Sequence, residues 1–337
     1  MPVTMRDVSA MAGVSISTVS HVINNTRSVP DRTRQKVLDA IRATGFMPNT
    51  IARSLKRAET RTLGLAIGDI SNPYFTAVVH AVEGAAGYTL LLTDIGEDPA
   101  REQEALRALI GRRVDGLFLS PSAAGGAKAV AHARSNNVPV VQIDRVADRG
   151  CDFVVARNRP DMRRLVRHLA ERGHRRIGML TGLPGLSSTN ERIAGYQAGL
   201  GDSAIAFEPK LMEPAASSLA PAMQATLRLL DLARPPTALV ASNNLMALGA
   251  MRALTERGLA VPADIALVAF DDFEWADLFH PRLTTIAQPC ERIGETAVQL
   301  MLDRIARPKA PPRHVRLPTT LHHRESCGCP PDAGPIP

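Results

Sequence analysis

The chain has 337 residues, of which 45% are apolar and 22% charged, and it carries a net charge of +7. That balance excludes a disordered chain and fits two or three globular domains; no uncharged apolar run is long enough for a membrane helix. The charge is uneven: residues 1–60 hold nine lysines and arginines against four acids, while the rest is nearly neutral, so one end is suited to a polyanion.

Along the chain, residues 4–57 read as helical. A first helix over 6–11 carries Val8 and Met11 on one face, and Gly13-Val14-Ser15 breaks it. A second over 17–24 places Val19, Val22 and Ile23 at i, i+3, i+4 spacing. A third over 31–44 follows Pro30, carries Val37, Leu38 and Ile41, and ends at Gly45. A short fourth segment spans 49–56, followed by a charged linker to 61. From Leu63 onward, β-rich runs alternate with helical patterns. Strands are expected near 63–68, 88–93, 114–119, 138–143, 176–180, 237–241 and 265–270. Helices are expected near 74–86, 99–112, 127–136, 161–172, 191–201, 221–233, 245–257 and 291–305. This rhythm means parallel sheets with helices on both faces, and there is chain enough for two. Ligands of such sheets sit at the carboxyl ends of the strands, which makes Asp69, Asp144, Asp271 and Asp272 candidates.

Two helices joined by a short glycine-containing turn can set the second in the major groove. The run from Arg6 to Asn24, with Ala12-Gly13-Val14-Ser15-Ile16-Ser17-Thr18-Val19 at its centre, resembles the headpiece of the LacI family of regulators. Further landmarks are Ala52-Arg53-Ser54-Leu55, Asn72-Pro73-Tyr74-Phe75, Arg113-Val114-Asp115-Gly116, Gly173-His174-Arg175-Arg176-Ile177, Phe270-Asp271-Asp272 and Leu283-Thr284-Thr285-Ile286, so the resemblance covers about residues 4–326. Within the family the headpiece is most similar to the purine-repressor branch, through His21 and Asn24-Asn25-Thr26-Arg27.

The resemblance implies a helix-turn-helix headpiece over 1–48, a hinge helix and linker over 49–61, and a core of two doubly wound subdomains over 62–326. Residues 327–337 read as a loose tail. It implies a homodimer on double-stranded operator DNA, with repression as the usual outcome and a small-molecule effector as the switch. Base-reading positions fall on Ile16, Ser17, His21 and Arg27; Thr18, Asn24 and Arg53 are further DNA contacts, and Leu55 is the minor-groove wedge. Effector contacts fall on Asp69, Tyr74, Phe75, Arg157, Arg192, Asn243 and Asp271.

The sequence departs from the family pattern at several places. Arg157-Asn158 and Asn243-Asn244 stand where many members carry a carboxylate; losing two carboxylates and gaining Arg157 turns the pocket toward positive and points to an anionic effector, a sugar acid or sugar phosphate, unless Arg157 swings to solvent or pairs with Asp161, which leaves a plain sugar. Leu186 replaces an arginine that reads the purine in the purine repressor. The helix after Tyr74 is about one turn short, in the subdomain that usually dimerises.

No nucleophile elbow or phosphate loop is visible, so the chain is expected not to be an enzyme and to need no cofactor. A periplasmic sugar-binding protein would need an apolar leader, whereas the N-terminus carries Arg6 and Asp7; the expected location is the cytoplasm. The cysteines Cys151, Cys290, Cys327 and Cys329 form no CxxC pair. His322-His323 with Cys327-Gly328-Cys329 fits no standard zinc spacing, so that stretch reads as a polar tail and no metal is expected.

Overall fold

The computed structural model describes residues 3–24, 26–46 and 59–330. It divides into two compact units, Met1–Thr60 and Arg61–Pro337. The expected hinge segment 49–56, with Arg53 and Leu55, lies outside the described residues.

The first unit contains α1 (Met5–Ala12), α2 (Ile16–Asn24) and α3 (Asp31–Thr44). The Asp7 carboxylate accepts the Thr4 amide at 2.8 Å and its hydroxyl at 2.7 Å, which starts α1. Gly13, at φ 65°, ends it, and the Ser15 hydroxyl accepts the Thr18 amide at 3.1 Å to start α2. Val8, Val19, Val22, Val37, Ala40 and Phe46 close a small core. Met11 and Leu38 are exposed, which corrects the stripes expected for α1 and α3. In α1, with barely two turns, Val8 and Ala12 occupy the inward i, i+4 positions instead.

The second unit holds two six-stranded sheets. Its strands are β1 (Thr62–Ile67), β2 (Thr89–Asp94), β3 (Gly116–Leu119), β4 (Val140–Ile143), β5 (Asp152–Ala156), β6 (Ile177–Thr181), β7 (Met212–Pro214), β8 (Ala238–Ala241), β9 (Ala266–Phe270), β10 (Thr284–Ala287), β11 (His314–Leu317) and β12 (Thr320–His322). Its helices are α4 (Pro73–Ala86), α5 (Pro99–Gly111), α6 (Gly126–Ser135), α7 (Asn158–Glu171), α8 (Ser187–Asp202), α9 (Leu219–Leu230), α10 (Asn244–Glu256) and α11 (Cys290–Ala306). The sheet orders are β11-β5-β4-β3-β1-β2 and β12-β10-β9-β8-β6-β7. Every pairing is parallel except β10 with β12. Central strands such as β3, β4, β8 and β9 are buried throughout, as sheets covered on both faces require.

The chain passes from the first sheet to the second after β5, returns through α11, and adds β11 to the first sheet and β12 to the second. Asp152 pins the return. Its buried carboxylate accepts Arg304 Nε at 2.8 Å and the Arg313 amide at 2.7 Å. The short strands β5, β7, β10, β11 and β12 were not expected from the sequence. A further correction concerns the C-terminus: Cys327 is fully buried in a 3₁₀ turn over Glu325–Cys327, so packing continues past the point where a loose tail was expected.

Candidate effector cavity and DNA-reading helix

A cavity of about 450 Å³ opens at the carboxyl ends of both sheets. Asp144 follows β4 of the first sheet and Asp271 follows β9 of the second. Both adopt left-handed backbone, at φ 65° and 71°. Such strain costs about 1–3 kcal/mol per residue and clusters at binding sites; aspartate is among the residues that tolerate it best.

Asp69, Tyr74, Phe75, Arg192, Asn243 and Asp271, all expected at the site, line this cavity. Asn72 accepts the Tyr74 amide at 3.0 Å, which starts α4 and holds the two aromatic rings edge to face, 5.2 Å apart. The Tyr74 hydroxyl is buried without a protein hydrogen-bond partner, and burial raises its pKa well above the ordinary phenol value. Arg192 is held from several sides. Its Nε donates to Asn158 Oδ1 at 2.8 Å and its Nη1 to the Ser242 carbonyl at 2.5 Å, while Nη2 lies 3.5 Å from Asp271. Its guanidinium carbon stands 3.9 Å from the centre of the Phe270 ring. Burial pushes the Asp271 carboxyl above its usual range, with Arg192 and the 2.6 Å bond from Gln288 opposing that rise. Asn243 spends its carbonyl on the Met246 amide at 2.8 Å, capping α10.

Two expected residues stand elsewhere. Arg157 is exposed and does not line the cavity, because at the step from β5 into α7 it is Asn158 that turns inward to meet Arg192. Asp272 grips Arg324 in a two-pronged pair, at 2.8 and 3.0 Å, behind the cavity wall.

Glu97 and Arg145 are site residues that sequence reasoning missed. Arg145 donates to Glu97 at 2.6 and 2.7 Å and to Asp144 at 2.8 Å. Burial works against its charge, but Asp144 and Glu97 outweigh that and raise its pKa above the ordinary arginine value. Position 145, directly after a strand-end aspartate, was a usable signal; Glu97 had none. Gly68 makes room for this group, since a Cβ there would lie 1.9 Å from Glu97 Oε1. The lining includes five carboxylates (Asp69, Asp94, Glu97, Asp144, Asp271) against three arginines (Arg101, Arg145, Arg192), and each arginine is already bonded within the protein. The positive rim expected from Arg157 is therefore not what the described residues form.

In the first unit, Ile16 and Ser17 open α2 with exposed side chains, Thr18 and His21 are partly exposed one turn apart, and Arg27 is exposed in the following loop. His21 Nδ1 is bonded to the Thr26 hydroxyl at 2.8 Å, which fixes its ring. Asn24 donates to the Ser20 carbonyl at 2.9 Å.

Comparisons with known proteins agree with both halves. Residues 4–49 match the family described as bacterial regulatory proteins, lacI family, and residues 166–327 match the periplasmic binding protein-like domain. The HTH-type transcriptional repressor PurR of Aliivibrio fischeri (strain MJ11) is 34% identical over 308 residues, covering 90% of this chain and 91% of the relative. PurR of Erwinia tasmaniensis is 36% identical over 329 residues, covering 96% of each. Among solved structures, the Lac repressor dimer bound to operator and the anti-inducer ONPF superposes with a TM-score of 0.87 at 30% identity, over 97% of this chain and 99% of that one. The transcriptional regulator CelR in complex with cellobiose gives 0.73 at 29% identity, over 96% and 99%. With a lacI headpiece, a two-sheet core around a polar cavity, and relatives matched over nearly their whole length, the chain belongs to the lacI family of bacterial regulatory proteins.

Proposed function

We propose that this DNA-binding regulator is a dimeric transcriptional repressor whose effector is an uncharged, polyhydroxylated small molecule, a sugar or close analogue, held in the 450 Å³ cavity of the core. The observation that carries the effector class is the balance of the lining: five carboxylates and several serine and threonine hydroxyls against three arginines, of which Arg145 and Arg192 are already paired with those carboxylates and Arg101 gives one donor to the Asp94 carbonyl. Carboxylates accept hydrogen bonds from sugar hydroxyls, and an anion would meet them as like charge. Phe75 supplies an apolar face. Cellobiose in CelR supports the same class. The resemblance of the headpiece to the purine-repressor branch suggests a purine instead, against which Leu186 stands as a buried apolar wall. No helix among the described residues is long and apolar enough to cross a membrane.

On the DNA side, Ile16, Ser17, His21 and Arg27 read base edges. Thr18, Asn24 and Arg53 position the headpiece, and Leu55 wedges into the minor groove. With Nδ1 committed to Thr26, His21 meets DNA through Nε2. Leu55→Ala is expected to weaken operator binding and leave effector affinity unchanged; equal operator affinity in a titration removes the wedge.

The effector class is tested by thermal shift against neutral sugars, sugar acids, sugar phosphates and purines. A ligand at about 100 times its Kd stabilises by roughly 2.7 kcal/mol. A shift with neutral sugars alone supports the reading; a shift confined to anionic sugars or to purines overturns it.

A further inference from the structure

The C-terminal segment brings four metal-binding side chains together in the second subdomain, none of which lines the cavity. His168 on α7 and His323, Cys327 and Cys329 after β12 each offer a ligand atom, and these atoms all lie within 4.8 Å of one another. His168 Nε2 and Cys329 Sγ are 3.5 Å apart, and the two imidazole rings meet edge to face with centroids 4.4 Å apart. We propose that His168, His323, Cys327 and Cys329 form a structural Cys₂His₂ site for a divalent zinc-class ion, fastening the C-terminal segment to α7.

Geometry argues for it first. A tetrahedral zinc ion with Zn–S near 2.3 Å and Zn–N near 2.0 Å has neighbouring ligand atoms roughly 3.3–3.8 Å apart. The His168–Cys329 distance already falls in that range, and the others need to close by at most about 1.5 Å.

The second observation is independent of spacing. His323 is nine-tenths buried, and its Nε2 has no hydrogen-bond partner in the protein. A buried, unpartnered ring nitrogen costs free energy unless a ligand takes it up.

The local backbone serves the same end. Gly328, at φ 80°, turns the chain between the two cysteines, so a Cys-x-Cys pair can converge on one point. The Gly328 carbonyl accepts Arg172 Nη2 at 2.6 Å, joining the turn to the end of α7, and the Cys327 thiol donates to the Arg324 carbonyl at 3.3 Å. Thiolate and imidazole together select zinc-class ions over the hard cations that prefer oxygen.

The test uses the full-length chain, purified under reducing conditions and dialysed. Elemental analysis is expected to find about one zinc per chain. After stripping, Co²⁺ is expected to give the intense visible bands of a tetrahedral site with a thiolate-to-cobalt charge-transfer band. Chelation is expected to lower the melting temperature by several degrees. Cys329→Ser and His168→Gln lose the metal, while Cys151→Ser and Cys290→Ser keep it, with circular dichroism checking the fold of each. The wild-type titration needs no variant. Less than about a tenth of an equivalent of zinc together with no tetrahedral cobalt spectrum overturns the site. So does a Cys327–Cys329 disulfide in the reduced preparation, or full metal retention by folded Cys329→Ser.

Discussion

Asp271 and Asp272 are neighbours with opposite duties, and the difference lies in what each carboxylate faces. Asp271 lines the cavity beside Arg192, while Asp272 turns away to hold Arg324, with side chains only 19% and 10% exposed in that pair. Thr285 adds a 2.6 Å bond to the same carboxylate. Asp272→Asn removes one of the two carboxylates that Arg324 holds, leaving Asp277, and is expected to cost about 1.5–3 kcal/mol in a denaturant titration. Burial alone would raise the Asp272 pKa, but Arg324 and Thr285 outweigh it and hold the carboxyl below its usual range. A depressed folded-state pKa means the contribution is complete above about pH 4 and fades as pH falls through the lower folded value. The stability gap between wild type and variant should therefore narrow below pH 4; a constant gap removes the electrostatic account. This division of labour was beyond the strand-end rule, which selected both aspartates. The same limit explains Arg157: whether position 157 or 158 turns inward is a one-residue choice made by packing against Arg192.

Helices and strands of the core differ in how plainly the sequence announces them. Long amphipathic runs such as α7 and α11 and fully apolar strands such as β8 and β9 were legible, because periodicity and length both speak for them. The missed strands are three to five residues long. In β11, His314-Val315-Arg316-Leu317 alternates at a sheet edge, and only the return of the chain from α11 makes it a strand. His323, Cys327 and Cys329 were set aside in the sequence for a related reason: His168, which joins them, stands 161 positions before Cys329, and no local pattern links it to them. Contact between helices supplies a prediction of its own. A Cβ at Gly195 of α8 would lie 2.4 Å from the Arg159 carbonyl oxygen and 2.8 Å from the Met162 Cβ, so α7 and α8 meet there by virtue of the missing side chain. Gly195→Ala gains helix propensity of about 1 kcal/mol but forces the helices apart, at a cost of about 1–3 kcal/mol. Gly201→Ala, on the same helix with nothing within 4 Å, takes the gain alone. The first variant should unfold at lower denaturant than wild type and the second at higher; two shifts of the same sign would show that α7–α8 contact does not decide the outcome.

At the scale of the molecule, a regulator needs two arrangements of its core that effector and operator favour unequally, and then each ligand must change the other's affinity by the same factor. Direct polar contacts join the core's subdomains, among them a two-pronged pair between Arg316 of β11 and Glu191 of α8 at 2.9 and 2.8 Å. Asn244 Nδ2, at the start of α10, donates to Asn72 Oδ1 ahead of α4 at 3.0 Å, and the Val146 amide donates to the Ser187 hydroxyl at 2.8 Å. Asn72 also starts α4 beneath Tyr74, so the bond ties the second subdomain to the aromatic wall of the cavity. Removing it with Asn244→Ala should shift the balance between arrangements by about 0.5–1.5 kcal/mol, up to roughly tenfold. The shift should appear equally in two titrations. The ratio of operator affinities with and without effector should change, and so should the ratio of effector affinities with and without operator, by the same factor and in the same sense. Operator titrations belong at fixed salt, since phosphate contacts from the basic headpiece should make affinity fall steeply as salt rises. An Asn244→Ala chain that binds effector and operator with both ratios unchanged would show that this bond reports the arrangement without helping to set it. A change in one ratio alone would mean that the two titrations had not sampled the same equilibrium, because linkage allows no such asymmetry.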